Sequence, residues 1–454
     1  MSNLKAGFGR ANITPPLGIG VCGYYIPRKA EKILDELYAS VLTLSVGDKT
    51  VAFVGLDAIL IARVDCDDIR AYVSEVTGLD ENAIFIACSH SHTAPYFQYK
   101  SAAMVKDSSD EMVLNYFVSS KFKIAGAVKA ALDDMKPAHI GYGVGNAPRI
   151  SFNRRFRMKD GSVQTNPGVK NPDIVAPIGE VDERVSVIRV DREGGDDIVF
   201  VTFGTHPDTI GGSVISADWP GFVRTTLEAT LENTKCVFFN GFQGDVNHVN
   251  VAPLPGEENG LHKDFDDVDR GYAHARHMGN AVAGAALQVY EKVKYVDVDE
   301  IKFNTITMKI PSNRPSPEEI PIAEKYKALH EAGRDDEIPF KGMALTTAVA
   351  NSNRVLRLKD GPDFFEIPLH GVSLGKIALI GIPGEPFTAI GLEIKATEGP
   401  HELILPCALV NGSSGYYPTT EAYAEGGYET SSSSYKSGVA EIIVDEARRL
   451  LKTL

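Results

Sequence analysis

Cysteine is scarce in this sequence and follows no pattern. Only five of the 454 residues are cysteines, an odd number, and they are scattered without any Cys-x-x-Cys pair. We interpret them as reduced and mostly buried, which predicts a cytoplasmic protein. Cys88 stands close to His90 and is therefore a candidate nucleophile. Its position at the end of an apolar strand favours a core residue instead.

Long apolar runs and an excess of positive charge are also missing. No stretch of roughly 18 or more apolar residues occurs, and residues 1–10 contain no run resembling a signal peptide. The 46 basic residues are outnumbered by 60 acidic ones, which gives a net charge of -14. An acidic protein repels phosphate backbones and anionic lipid headgroups. We therefore expect a small-molecule substrate, no nucleic-acid partner and no membrane insertion, while the oligomeric state stays open.

The chain has no clear linker, repeat or low-complexity run. Hydrophobic residues make up 43% and charged residues 23%, a balance typical of globular proteins. Short apolar strands, for example at 83–87, 198–203 and 235–239, alternate with segments of helical period. This alternation predicts an α/β fold. Two segments, 145–182 and 311–337, break the rhythm and are predicted to be long excursions over the surface.

Four polar segments each follow directly on an apolar strand. In open α/β sheets, ligands bind beyond the carboxyl ends of the strands, so these segments are candidates for one shared site. They span residues 89–95, 204–208, 240–248 and 381–386.

Two of the histidines in these segments are two residues apart. On an extended segment alternate side chains point the same way, so His90 and His92 can face one cavity. Hydrolytic zinc sites use three or four His or carboxylate ligands. His206 and Glu385 are the natural completions, because each also stands at a strand end. A chance His-x-His pair on a loop would lack such partners, and the sequence therefore predicts a metal site.

The sequence resembles the neutral/alkaline (non-lysosomal) ceramidase family of zinc amidases. Ser89-His-Ser-His-Thr-Ala-Pro95 is similar to that family's His-Thr-His-Ser-Gly-Pro, and Pro383-Gly-Glu385 matches its Pro-Gly-Glu. Seven blocks follow in the family's order along the whole chain, which makes the resemblance specific. The other five blocks are at 7–16, 152–154, 205–207 with 215–218, 244–246, and 417–420 with 422–423 and 428–429.

The resemblance implies a mixed β-sheet core flanked by helices, in a single ceramidase-like catalytic domain spanning 1–454 without the additional C-terminal domain. It implies one Zn²⁺ per chain. The zinc ligands that it implies are His90, His206, Glu385 and Tyr417, with Tyr416 as the adjacent alternative to Tyr417. The residues to which it gives active-site roles are His92, Arg154 and Tyr428.

One position departs from the family pattern. Ceramidases carry an essential serine after Gly-Asp-Val, and Asn247 stands at that position here. An amide side chain cannot act as a nucleophile, although it can donate a hydrogen bond to a carbonyl oxygen. The departure argues against a ceramide substrate. Asp218 is expected to orient a ligand histidine or to act as a base.

These observations predict a zinc-dependent hydrolase that attacks the carbonyl of an amide, with an ester or a lactone as the alternatives, in a small polar substrate. The nucleophile would be a metal-activated water. Arg154, Tyr428 and Asn247 would stabilise the oxyanion, and His92 would pass a proton to the leaving group. Two alternatives remain open: a non-catalytic zinc- or ligand-binding homologue, and a true ceramidase.

Overall fold

A nine-stranded mixed sheet is the largest element of the computed structural model, which describes residues 3–101, 110–255, 257, 262–263 and 269–454. The pairs at its two ends are parallel and the others antiparallel. Eight strands follow the order Thr234–Asn240, Asp197–Phe203, Arg184–Arg192, Lys136–Asn146, Lys5–Asn12, Tyr38–Val46, Lys49–Leu56 and Ile84–Cys88, and Lys294–Val296 pairs with Lys136–Asn146.

A second sheet shares a hydrophobic core with the first. Its four strands are, in order, Ile301–Pro311, Phe364–Leu374, Ile377–Gly381 and Leu403–Cys407, of which the last two are parallel. Phe53, Phe85 and Phe239 of the first sheet lie in one buried cluster with Leu379 and Leu405 of the second. Burying a side chain of this size stabilises the fold by about 1.5–3 kcal/mol. The two sheets are therefore held together through their apolar faces.

Helices pack against both sheets. None in the described ranges is long and apolar enough to cross a bilayer. They span Arg63–Thr77, Glu111–Asp133, Asp218–Thr230, Tyr272–Tyr290, Glu319–Glu331, Gly342–Leu358, Thr388–Lys395, Thr420–Glu425, Tyr428–Ser432 and Val439–Leu451. The short strands are Gly20–Val21, Arg28–Lys29, Lys32–Ile33, Phe152–Asn153, Arg155–Met158, Val163–Thr165, Ile174–Pro177, Val214–Ile215, Val246–Asn247, His262–Lys263, Asp269–Arg270, Glu385–Pro386 and Tyr416–Tyr417.

Glycines let one helix approach a strand unusually closely. A Cβ atom added at Gly7 would lie 1.8 Å from the carbonyl oxygen of Ala131, and one at Gly9 would lie 2.0 Å from that of Ala127. The helix Glu111–Asp133 therefore rests directly on the strand backbone, which only glycine permits.

The two predicted surface excursions contain regular structure. Residues 145–182 include a three-stranded sheet, and residues 311–337 include the helix Glu319–Glu331. The two segments that interrupt the alternation are therefore folded into short strands and a helix. Pro321 lies in the first turn of that helix, where its missing N–H is not needed, and Leu329 anchors the helix by burial.

Candidate metal centre

Three buried side chains converge where strands of both sheets end. Nε2 of His90 and Nε2 of His206 each lie 3.1 Å from the same oxygen, Oε2, of Glu385. In the part of the chain that the structure describes, this buried oxygen has no hydrogen-bond partner. Buried polar atoms are almost always satisfied, so two ring nitrogens around an unsatisfied carboxylate oxygen fit the binding of a shared cation.

The two rings are oriented by backbone carbonyls. Nδ1 of His90 lies 2.8 Å from the oxygen of Ile59, and Nδ1 of His206 lies 2.8 Å from the oxygen of Gln243. A carbonyl only accepts, so Nδ1 carries the proton in each ring and Nε2 presents a lone pair to the centre. His90 adopts this pose with φ at 77°, in the left-handed region that non-glycine residues rarely occupy.

His92 lies beside this group. Its Nε2 is 3.4 Å from Nε2 of His90, and the ligand atoms of His90, His92 and His206 all lie within 4.8 Å of one another. Burial and the neighbouring His90 lower the pKa of His92 well below its usual range. A neutral imidazole can hold a metal or accept a proton, so both roles fit this position.

The structure distinguishes the two adjacent tyrosines. Oη of Tyr416 lies 3.4 Å from Nε2 of His206. The Tyr417 hydroxyl instead donates to the oxygen of Pro383 at 2.8 Å, and its ring stacks on Tyr435 with centroids 4.7 Å apart. Neighbours on a strand point to opposite faces. The structure therefore brings Tyr416 to the centre and not Tyr417, the residue that the family pattern favoured.

Arg154 lies beside the ring of Tyr416. Its Nε donates to Oε1 of Glu429 at 2.7 Å, and an Nη donates to the oxygen of Gly244 at 2.7 Å. The guanidinium carbon is 5.3 Å from the centroid of the Tyr416 ring and 5.9 Å from that of Tyr428. The buried Arg154–Glu429 pair therefore fixes a positive charge next to two phenols.

Asn247 is fully buried and its amide is engaged within the protein. Its Nδ2 donates to Oδ1 of Asn166 at 3.0 Å, and its Oδ1 accepts from the amide of Val249 at 3.0 Å. These bonds use the oxygen and one of the two N–H groups. Asn247 therefore forms a structural link to the segment 163–168.

Asp218 is buried at the start of the helix Asp218–Thr230. Its carboxylate accepts from the amide of Ile210 at 2.9 Å and from that of Trp219 at 2.6 Å, and burial raises its pKa to about 6. Among the described residues, no hydrogen bond joins it to His90 or His206. The expected contact with a ligand histidine is therefore missing, and Asp218 braces the loop that follows His206.

Asn240 was not singled out by the sequence, yet it joins the two histidine segments. Its Nδ2 donates to the oxygen of Ser89 at 3.0 Å and to that of Thr205 at 3.1 Å, and the side chain is fully buried. Each acceptor directly precedes a candidate ligand in the chain. Its position as the last residue of the apolar strand Thr234–Asn240 is the sequence feature that could have identified it.

Cys88, the candidate nucleophile, and His248 of the segment 240–248 have structural roles. Burial raises the pKa of the Cys88 thiol well above its usual range, which is the opposite of what a nucleophile needs. His248 is buried, and its Nδ1 lies 2.9 Å from Oδ1 of Asp208. The pair is therefore an internal contact between two buried side chains.

A cavity of about 760 Å³ adjoins the centre at Tyr428. Its walls come from the helices Glu319–Glu331 and Gly342–Leu358 and from the 163–168 segment, which includes Asn166. The apolar residues in this wall are Val163, Ile322, Ala323, Tyr326, Phe340, Met343, Ala344 and Ala348. The space can therefore take an apolar group beside Tyr428.

No protein-family model matches the sequence, and no curated protein matches it significantly. Among solved structures, the whole chain is similar to neutral ceramidase from Pseudomonas aeruginosa, with a TM-score of 0.72, 18% sequence identity and 75% of that chain covered. It is also similar over its whole length to a ceramidase complexed with C2, with a TM-score of 0.72, 17% identity and 76% of that chain covered. The resemblance found in the sequence is thus confirmed as a shared fold, and so is the α/β class.

Proposed function

We propose that this chain, which has the ceramidase fold, is a zinc-dependent hydrolase that cleaves the carbonyl–nitrogen bond of an amide. The observation that supports this most is the approach of His90 and His206 to one unsatisfied oxygen of Glu385. Two imidazoles whose Nδ1 protons are held by carbonyls, next to a carboxylate, are a donor set suited to Zn²⁺.

The residues that would hold the ion are His90, His206, Glu385 and Tyr416. When bound, zinc supplies a Lewis acid and lowers the pKa of a water towards neutrality. Tyr416 replaces Tyr417 in this set because its oxygen lies at the centre.

Arg154 and Tyr428 would stabilise negative charge on the carbonyl oxygen. Glu429 and the carbonyl of Gly244 hold the guanidinium in place before substrate arrives. Preorganised donors of this kind are each worth about 2.7–4 kcal/mol. Nε2 of His92 would carry a proton to the leaving nitrogen, since the ring is neutral and faces the same space.

The lining of the cavity narrows the class of substrate that we propose. A scissile amide at the histidines would place an attached group against Tyr428, where an apolar wall begins. We therefore propose a substrate that joins a polar amide to an apolar group, instead of one that is small and polar throughout. Asn247 would act on this substrate indirectly, because it holds Asn166 in the cavity wall.

Metal analysis combined with a substrate panel tests the proposal. Protein purified without added zinc should contain about one zinc per chain, and Glu385→Gln and His206→Ala should lose it. The exposed His139 provides the matched control, so His139→Ala should keep the ion. Turnover of N-acyl, ester and lactone substrates should disappear with a chelator and return with zinc.

Each outcome has a distinct meaning. Zinc without turnover on any class identifies a non-catalytic homologue, whereas cleavage of ceramide in detergent identifies a true ceramidase. Absence of metal, with the variants unchanged in stability, overturns the centre. His92→Gln then separates its two roles: lost turnover with retained zinc supports proton transfer, and lost zinc makes His92 a ligand.

A further inference from the structure

The segment 22–27 lies against two of the proposed active-site residues. A Cβ atom added at Gly23 would lie 2.9 Å from Cβ of His92, and the ring centroid of Tyr24 is 6.4 Å from that of His92. Three residues past the start of this segment, Oη of Tyr25 lies 3.4 Å from Oη of Tyr428. The position of this segment therefore determines what the substrate meets beside both residues.

His330 ties this segment to the helix Glu319–Glu331. Its Nε2 lies 3.2 Å from the carbonyl oxygen of Tyr25, and its Nδ1 lies 2.8 Å from Oδ1 of Asp335. A carbonyl oxygen and a carboxylate can only accept hydrogen bonds. A neutral imidazole has one N–H and can satisfy only one of them. Both bonds together require the doubly protonated ring.

We propose that His330 is a positioning residue that holds Tyr25 against Tyr428 while its imidazolium bridges the Tyr25 carbonyl and Asp335, and that deprotonation releases the segment 22–27. The effect on turnover rests on the hydrolase function proposed above. The tie between the segment and the helix is independent of that function.

Asp335 is the anion that pairs with the His330 ring, because two neighbouring acidic residues pair with other cations. On its own helix, Lys327 pairs with Glu331 at 2.6 Å. In the turn that follows, Arg334 pairs with Glu337 at 2.5 Å.

On the other side of the tie, Arg357 of the helix Gly342–Leu358 acts electrostatically on Tyr25. Histidines change charge between about pH 5 and pH 8. When the ring loses one proton, the carboxylate of Asp335 keeps the remaining proton on Nδ1, so Nε2 no longer donates to the Tyr25 carbonyl and the tie is broken.

Hydrogen exchange tests the tie without any substrate. Amide exchange in a peptide covering 20–29 is measured by mass spectrometry from pH 5.5 to pH 8.5 in the wild type, His330→Gln and His330→Arg. Arginine stays charged and can donate to both acceptors, so it keeps the tie at every pH. The wild type should match His330→Arg at pH 5.5 and exchange about tenfold faster than it at pH 8.5, close to His330→Gln. A wild-type to His330→Arg ratio that stays constant with pH overturns the proposal.

Turnover gives a second readout. On a substrate from the panel, the ratio of wild-type to His330→Arg kcat/KM should fall as the pH rises, mainly through KM. The exposed His139 again supplies the control, since His139→Gln should keep the wild-type profile. A flat ratio contradicts the positioning role, whereas pH-dependent exchange without turnover on any substrate leaves the tie standing and rejects the hydrolase.

Discussion

Oη of Tyr416 lies 3.4 Å from Nε2 of His206, and the two rings are nearly parallel, with 22° between their planes. Nδ1 of His206 donates a hydrogen bond to the carbonyl oxygen of Gln243, so Nε2 carries a lone pair that faces the phenol. A phenol in this position can join a metal centre if a nearby cation of charge +2 favours loss of its proton.

We expect Tyr416→Phe to weaken zinc binding more than tenfold, because it removes a proposed ligand and leaves the ring in place. Tyr417→Phe is the matched control: it removes the bond to Pro383 and should lower stability by about 1 kcal/mol with zinc affinity unchanged. Chelator competition and thermal unfolding measure the two effects. Zinc loss in Tyr417→Phe alone would return the ligand role to Tyr417.

Asn240 should control the metal centre without touching it. Asn240→Asp replaces the amide that donates to the oxygens of Ser89 and Thr205 with a carboxylate that repels both. We expect zinc affinity to fall about 10- to 100-fold, as for other residues that orient metal ligands. Stability should fall by about 3–5 kcal/mol, because a buried charge is left without a cationic partner. The exposed Asn280→Asp should change neither quantity in zinc titration and urea unfolding.

Gly23 and Gly18 form a matched pair of glycines, of which only Gly23 meets His92. Both have φ in the left-handed region, at 112° and 86°. Alanine at either should cost about 1–2 kcal/mol of backbone strain. Only at Gly23 would the new Cβ meet His92, whereas nothing lies within 4 Å of it at Gly18. Gly23→Ala should therefore lower turnover about tenfold or more with zinc retained, and equal activity in the two variants would place His92 outside the reaction.

The proposed metal ligands could be located from the sequence because their signal is local. An apolar strand followed at once by a polar residue marks a strand end, and His90, His206 and Glu385 each stand just beyond one. The choice between Tyr416 and Tyr417 could not be made this way. It depends on a two-residue strand that pairs with Glu385–Pro386 from a distant part of the chain.

The antiparallel strands were harder to predict for a different physical reason. Lys5–Asn12 and Lys136–Asn146 carry glycines at positions where a strand is normally marked by branched or aromatic residues. Those glycines are required by helices that pack on the strand backbone, a contact with residues more than a hundred positions away. Long-range contacts likewise determine the meeting of Tyr25 with Tyr428.

Asp182 links the strand Arg184–Arg192 to the helix Thr388–Lys395 and should make stability depend on acid. It accepts Nζ of Lys395 at 2.7 Å and Nε of Arg184 at 2.7 Å. Burial raises its pKa, but these bonds outweigh burial and hold the pKa below its usual value. A carboxyl with a depressed folded pKa stabilises the fold above its unfolded pKa of about 4, and that stabilisation is lost as the pH falls through the folded pKa.

We therefore expect Asp182→Asn to lower the free energy of unfolding by about 1–2 kcal/mol at pH 7, with the difference from the wild type shrinking below about pH 4. Urea unfolding at pH 7, pH 5 and pH 3 measures it. Asp173 pairs with Lys159 at 3.6 Å with side chains 66% and 63% exposed, so Asp173→Asn should change little at any pH. A deficit in Asp182→Asn that persists undiminished at pH 3 would show that the side chain acts through packing and not through its charge.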